Sequence, residues 1–291
     1  MPFNIDARRD ALERIATARI EHKVPEVFDL LADASVPAII LKGPVTRHRL
    51  YAAGEDRPVA DIDVLVRPRH LRRAGRALAA AGFCRYGACG HSDNWHRDDV
   101  DVDLHLAIPF TTVRPAKAFD LLVSRSVGFP VTGHVVDALD EPAHVVHLAL
   151  HAAQNRFDPS HRSTDEWRRG WASLDAEQRA DAGRLAATLG ATRAWWLARR
   201  CLVDPDRWPE LAGRLPARKL QPTMRSLASL ARSPIPVRVR ARAAAALVRR
   251  QLSDEILEAW QSDMGLGAGP LGSGKFARVI RVAVRTIRRG R

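Results

Sequence analysis

Cysteine is scarce in this chain of 291 residues, which contains Cys84, Cys89 and Cys201. Three thiols cannot form a disulfide framework, and the pair Cys84 and Cys89 lacks the second pair that a zinc site would need. Disulfide-stabilised secreted domains and zinc ribbons are therefore excluded. We expect reduced thiols and a cytoplasmic location.

Long apolar runs are also missing. No stretch approaches 18 uninterrupted apolar residues, so the sequence predicts no transmembrane segment. The segment from Met1 to Arg19 is charged throughout and lacks the apolar block of a secretion signal. Hydrophobic residues make up 46% of the chain, which is enough for a packed core. The oligomeric state is not indicated.

Positive charge is distributed very unevenly along the chain. Residues 207–291 contain 18 Lys and Arg against 5 Asp and Glu, a net charge of +13, whereas residues 1–206 contain 28 of each and are neutral. The whole excess of +13 therefore belongs to the last 85 residues. A basic C-terminal part favours an anionic partner, such as RNA.

Periodicity of apolar residues predicts a mixed α/β part followed by a helical part. The predicted strands are 37–41, 59–66, 83–86, 94–97 and 100–108, and residues 131–136 are predicted as a further strand or a hairpin edge. The predicted helices are 7–34 with a break at Pro25, 45–51, 69–81, 141–155, 163–180, 182–203, 217–231, 236–262 and 275–289. We predict three domains, at residues 1–140, 141–264 and 265–291, the last being a glycine-rich linker and a basic amphipathic tail helix.

Acidic residues alternate with apolar residues in two predicted strands. Because side chains on a strand alternate between its faces, Asp61 and Asp63 share one face of strand 59–66. Asp101, Asp103 and His105 share one face of strand 100–108. If the two strands are neighbours in one sheet, three or four carboxylates form a cluster. The alternative is an ordinary strand whose acidic face is solvated.

Neighbouring motifs favour the cluster over that alternative. Lys42-Gly43 follows an apolar strand, and Arg57 stands four residues before Asp61. Carboxylates a few ångströms apart repel each other unless a cation lies between them. Oxygen ligands favour Mg²⁺ or Mn²⁺, and two such ions suit phosphoryl or nucleotidyl transfer.

This order of motifs resembles the uncharacterised nucleotidyltransferase family of the DNA polymerase β-like superfamily. The resemblance covers residues 35–170. It is carried by Leu41-Lys42-Gly43, Tyr51, Arg57, Asp61-Ile62-Asp63-Val64-Leu65-Val66, Gly82 and Val102-Asp103-Leu104-His105, and more weakly by His147–His151 and Asp165. The superfamily usually has Gly-Ser or Gly-Gly at its loop, whereas this chain has Lys42-Gly43-Pro44.

The resemblance implies an α+β fold, in which a small mixed β-sheet with packed helices is followed by an all-helical C-terminal domain. It implies transfer of a nucleoside monophosphate from a nucleoside triphosphate, expected to be ATP, to an acceptor hydroxyl, with release of pyrophosphate. Asp61 and Asp63 are then the metal ligands, with two Mg²⁺ or Mn²⁺ ions. Asp103 is the preferred third catalytic carboxylate and metal ligand, and Asp101 is its rival.

The same resemblance assigns phosphate-binding roles. Gly43 would let the backbone approach the triphosphate, and Lys42 and Arg57 would neutralise its charge. For both cations the alternative is an ordinary surface position on a loop.

Histidines near the motifs leave their roles open. His144, His147 and His151 share one face of the predicted helix 141–155, where they could pack, line the acceptor side or bind metal. His105 could support the carboxylates by hydrogen bonding or take part in the chemistry.

The acceptor is not indicated by the sequence. RNA, a small molecule and a protein all offer hydroxyl groups, and the basic C-terminal part favours an anionic one. The alternative function is that of a non-catalytic protein that binds nucleic acid or membrane through that part.

Overall fold

The computed structural model describes residues 5–52, 54–89 and 91–215. The strands in these ranges are β1 (Ala38–Ile40), β2 (Asp61–Val66), β3 (Cys84–Cys89), β4 (Ser92–Arg97), β5 (Val100–His105), β6 (Ser126–Val131) and β7 (His134–Leu139). The helices are α1 (Ile5–Asp33), α2 (Pro44–Leu50), α3 (Leu71–Ala80), α4 (Pro115–Val123), α5 (Glu141–Gln154), α6 (Arg162–Ser173), α7 (Ala176–Thr188), α8 (Thr192–Val203) and α9 (Trp208–Gly213).

All seven strands that the structure describes form one mixed sheet, in the order β3-β4-β5-β2-β1-β7-β6. The central strand β2 runs parallel to β5 and antiparallel to β1. Strands β3, β4 and β5 form an antiparallel meander, and β6 and β7 form a hairpin attached to β1. The predicted α+β class with a mixed sheet and packed helices is confirmed.

Helices cover both faces of the sheet and create two hydrophobic cores. On one face, Ile40, Val64 and Leu104 pack with residues of α1 and α3. On the other face, Ile39 and Leu65 pack against the α5 side of the molecule. Helix α5 is almost wholly buried, and α6, α7 and α8 surround it.

Helix α1 continues through Pro25, where the sequence predicted a break, so that expectation was wrong. Proline inside a helix costs about 3 kcal/mol because it removes a hydrogen bond. Val24, Val27 and Leu31 on either side of the proline are fully buried. Burial of these side chains favours one continuous helix on the sheet.

Other boundaries also differ from the sequence prediction. The predicted helices 163–180 and 182–203 are three helices, because Asp175 caps the start of α7 and Gly190, with φ +67°, follows its end. Helix α4 was not predicted. The segment 131–136, predicted as a strand or a hairpin edge, spans the end of β6, the hairpin turn and the start of β7.

The described residues up to Leu215 group into one compact unit. The predicted boundary at residue 140 falls inside it, between β7 and α5, and the boundary at 264 lies outside the described residues. The three-domain division stays a prediction, as do the helices at 217–231, 236–262 and 275–289, which also lie outside those residues. None of the helices described is both long and apolar enough to cross a membrane.

Candidate active site

Strand pairing brings the predicted carboxylates together on one face of the sheet. In the parallel pair β2–β5, Asp61 is the partner of Asp101 and Asp63 is the partner of Asp103. The intervening Ile62 is fully buried on the opposite face, as alternation requires. The site therefore lies on the face that carries Leu65 and α5.

Asp63 lies at the centre of the cluster and is 1% exposed. Its Oδ2 is 2.7 Å from Lys42 Nζ, and its Oδ1 is 2.7 Å from His105 Nε2. Burial alone would raise the pKa of Asp63, but the charge of Lys42 and the hydrogen bond with His105 outweigh it and hold that pKa well below its usual range. Asp63 is therefore ionised in the folded protein.

Asp61 has a different environment. Its Oδ1 is 3.7 Å from Lys42 Nζ, and its side chain is 32% exposed. Burial, and then the charge of Asp63, raise the pKa of Asp61 to about 6. Burial opposes the charge on Lys42, but the two aspartates outweigh it and raise the lysine pKa above its ordinary value. One lysine thus compensates two carboxylates.

The two carboxylates of β5 differ in their partners. Asp103 Oδ1 accepts a hydrogen bond from Asn94 Nδ2 on β4. Asp101 Oδ1 is 2.8 Å from His96 Nδ1 in an exposed position. Asp103 therefore lies on the Asp63 side of the cluster, whereas Asp101 lies further towards solvent.

One group of side chains in the described ranges has the donor atoms for a metal ion. It consists of Asp63, Asp103 and His105, whose ligand atoms all lie within 4.8 Å of one another. Two carboxylates and an imidazole are suitable donors for a divalent cation. Asp61, which the resemblance assigns as a ligand, borders this group but does not belong to it.

Gly43 connects β1 to α2 beside the carboxylates. Its φ of +70° is one that residues with a side chain rarely adopt, and a Cβ at this position would be 3.3 Å from the carbonyl oxygen of Asp61. The chain therefore passes close to β2 at Gly43, which positions Lys42 towards the aspartates.

Arg57 is not at the surface. It is 4% exposed, and its Nη2 and Nε donate to Glu166 Oε1 at 2.7 and 3.0 Å. Glu166 on α6 is 1% exposed and is also 3.4 Å from Arg162 Nε. The surface alternative for Arg57 is therefore wrong, and Glu166, 109 residues away, was not anticipated as its partner.

Three histidines lie along α5, and of these His144 and His147 are buried while His151 is partly exposed. The Nε2 atom of His144 is 3.0 Å from Thr46 Oγ1. The rings of His147 and His151 are stacked, with their centroids 6.3 Å apart. Neither ring nitrogen of His147 has a hydrogen-bond partner among the described residues. Burial, followed by the charge of His105, lowers the pKa of His147 to about 3, so this imidazole is neutral.

Sequence reasoning did not identify Asn94 or Glu166. Asn94 lies in a predicted strand. Pairing that strand with β5 as an antiparallel hairpin would have placed Asn94 opposite Asp103 and identified it as a neighbour of the carboxylates. Glu166 carried no local signal, because its pairing with Arg57 depends on how α6 packs.

The mixed sheet thus carries a carboxylate cluster on two adjacent parallel strands, next to a Lys-Gly loop. The family model described as "Uncharacterised nucleotidyltransferase" matches residues 7–204. The chain belongs to this family, and the predicted resemblance is confirmed.

Some solved structures show a limited similarity to this chain, with TM-scores below 0.5. ANT(2")-Ia in complex with adenylyl-2"-tobramycin is 15% identical to this chain, with a TM-score of 0.45. The match covers 58% of this chain and 95% of that one. An antigenic nucleotidyltransferase-like protein from Paracoccidioides brasiliensis is 12% identical, with a TM-score of 0.41 and coverages of 67% and 91%. No curated protein matches the chain.

Proposed function

We propose that this protein transfers a nucleoside monophosphate from a nucleoside triphosphate to an acceptor hydroxyl and releases pyrophosphate. The observation that carries the proposal is the register of β2 and β5, which pairs Asp63 with Asp103 beside Lys42 in a member of a nucleotidyltransferase family. A buried, ionised carboxylate without a catalytic or binding role is costly to keep.

The donor set fits a divalent metal. Asp63 and Asp103 would hold the ion, and Asp61, next to Lys42, would contribute to a second one. Mg²⁺ or Mn²⁺ bound there would stabilise negative charge on the phosphates during transfer. Asp103 is preferred over Asp101 as the third carboxylate because it belongs to the same donor group as Asp63.

Lys42 and Gly43 are the proposed phosphate-binding residues. Lys42 lies 2.7 Å from Asp63 and is 17% exposed, so a metal at Asp63 would free its ammonium group to neutralise a phosphate. Gly43 is itself buried, and its proposed role is to let the loop that carries Lys42 lie close against β2 at the triphosphate site. Arg57 was predicted to neutralise a phosphate, but its Nε and Nη2 donate to Glu166, so its proposed role is to hold the loop before β2 in position.

His147 and His151 are proposed to support the site rather than to touch the acceptor. His147 is 4% exposed and neutral, and it packs close enough to Asp63, Lys42 and His105 to respond to their charges. ATP is the proposed donor, and the acceptor is a hydroxyl of RNA, a small molecule or a protein.

An Asp63→Asn variant tests the proposal. The protein is incubated with α-labelled nucleoside triphosphates, Mg²⁺ or Mn²⁺ and fractionated acceptor extracts, and transfer of label is measured. We expect loss of at least about 1,000-fold of the activity, because the substitution removes the charged ligand that would hold the metal ion at the phosphates. The variant should remain folded by circular dichroism.

The matched control is Asp99→Asn, on the turn before β5. Asp99 has a 79% exposed side chain paired with Arg19, so its removal should leave transfer unchanged. Full turnover by a folded Asp63→Asn protein contradicts the proposed function. The binding-protein alternative depends on a C-terminal part whose residues from 216 onward lie outside the described ranges.

A further inference from the structure

His105 occupies an unusual position for a residue that only supports a carboxylate cluster. It is the third residue on the acidic face of β5, after Asp101 and Asp103, and it pairs across the sheet with Leu65. Its side chain is 13% exposed, and its Nε2 points to Asp63 Oδ1 at 2.7 Å. The imidazole nitrogen thus faces into the carboxylate pair.

Distances within the donor group suit a single ion. The ligand atoms of Asp63, Asp103 and His105 lie within 4.8 Å of one another. Atoms bound at about 2.1 Å to one octahedral ion lie at most about 4.2 Å apart. Small rotations of these side chains would therefore bring all three donors onto one ion.

The negative charge of Asp63 is balanced at both of its oxygens by side chains of the protein. Lys42 Nζ is 2.7 Å from Oδ2, and His105 Nε2 is 2.7 Å from Oδ1. A divalent cation would take over this compensation. The imidazole nitrogen that now contacts Asp63 lies where it can bind that cation directly.

We propose that His105 is itself a metal ligand, and that the site consequently prefers Mn²⁺ over Mg²⁺. The inference rests on the proposed nucleotidyl transfer and specifies which ion serves it. Mg²⁺ takes oxygen ligands almost exclusively and loses its water reluctantly. A nitrogen ligand raises the affinity for first-row transition ions relative to Mg²⁺, and Mn²⁺ is the one that also suits carboxylates.

The competing role for His105 is a hydrogen bond that orients Asp63 while the ion binds only oxygen. A His105→Gln substitution separates the two roles. The Gln amide can still donate a hydrogen bond to Asp63, but as a ligand it offers oxygen instead of nitrogen. His96→Gln is the matched control, because His96 is an exposed imidazole of the same site that contacts Asp101 and lies outside the donor group.

The experiment is a Mn²⁺ titration of the metal-free full-length protein, followed by electron paramagnetic resonance, without nucleotide. Competition with Mg²⁺ gives the ratio of the two dissociation constants, and pulsed spectra report ¹⁴N couplings from bound imidazole. We expect ¹⁴N couplings in the wild type and in His96→Gln but not in His105→Gln. The preference for Mn²⁺ should fall by at least about tenfold in His105→Gln only.

Two results would overturn the inference. One is Mn²⁺ bound to the wild type without ¹⁴N couplings, and the other is an unchanged Mn²⁺ preference in a folded His105→Gln protein. If Mn²⁺ bound to the wild type shows no nitrogen ligand while Asp63→Asn loses Mn²⁺ binding, the proposed function stands and the metal-ligand role of His105 is contradicted. Binding of neither ion to the wild type contradicts both proposals.

Discussion

The buried ion pair between Arg57 and Glu166 joins the loop before β2 to α6. Both side chains are at most 3% exposed. Removing one member of a buried pair leaves the other charge uncompensated, which costs several kcal/mol. This pair therefore positions the helical side of the molecule against the strand that carries Asp61 and Asp63.

We expect Glu166→Gln to lower the free energy of unfolding by about 3 kcal/mol, measured by urea denaturation. Asp165→Asn is the control, since Asp165 is 51% exposed and should change stability by less than about 1 kcal/mol. Combining Arg57→Met with Glu166→Leu should recover most of the loss. Equal effects of Glu166→Gln and Asp165→Asn would contradict the structural role.

Gly43 is a second residue where backbone geometry limits substitution. Gly43→Ala should lower the free energy of unfolding by about 2 kcal/mol, through strain at its positive φ. It should also weaken nucleotide binding, because the new methyl group meets the Asp61 carbonyl at 3.3 Å. Gly54→Ala is the control: its φ is +89°, with nothing within 4 Å of the added Cβ.

Urea denaturation and nucleotide titration of both variants measure these effects. Strain without loss of binding is the expected result for Gly54→Ala. If Gly43→Ala binds nucleotide as well as the wild type does, Gly43 is not part of the phosphate site.

At the scale of elements, α3 packs on the sheet through a glycine. A Cβ on Gly75 would lie 2.7 Å from Cζ2 of Trp95, whose ring is 8% exposed. Alanine favours a helix by about 1 kcal/mol over glycine, but its methyl group would have to displace the buried indole or α3 itself. The contact between α3 and β4 therefore depends on the absence of a side chain.

Gly75→Ala should consequently destabilise the protein by about 1–3 kcal/mol in urea denaturation. Gly213→Ala, at the end of α9, is matched to it, because nothing lies within 4 Å of the new methyl group. That variant should be neutral or slightly more stable. A stabilising effect of Gly75→Ala would show that α3 can shift away from Trp95.

Alternation along β2 and β5 predicted the carboxylate face correctly because it is a local property of strands. Pro25 was read as a break because proline weakens a helix locally, and burial of α1 on the sheet overrides that preference. Helix α4 was missed because its nine residues are mostly apolar, so no helical period can be read from them without knowing what they pack against.

At the scale of the whole molecule, buried histidines make stability depend on pH. Burial lowers the pKa values of His144 and His151 well below their usual range and that of His147 to about 3. In the unfolded chain these three imidazoles take up protons below about pH 6.5, whereas in the folded chain they do not. The free energy of unfolding therefore falls as the pH drops from about 6.5 towards 3, by up to about 1.4 kcal/mol per histidine and pH unit.

Between pH 6 and 5, we expect His144→Asn to reduce the slope of the free energy of unfolding against pH by about 1.4 kcal/mol per pH unit. This holds whatever the substitution does to stability at pH 7. Urea denaturation across the pH range measures it. His134→Asn is the control, because His134 is exposed and its ring remains in water when the chain folds. An unchanged slope in His144→Asn would mean that its ring takes up a proton in the folded protein.

The sequence by itself determined the strands that carry Asp61, Asp63 and Asp103, the face that they share and the family to which the chain belongs. These features follow from the local period of a strand and from motifs that are contiguous in the chain. Only the tertiary structure decided that Glu166 pairs with Arg57 and that His105 and Lys42 compensate Asp63 from opposite sides. Those contacts join residues far apart in sequence, and their partners depend on strand order and helix packing, which no local pattern encodes.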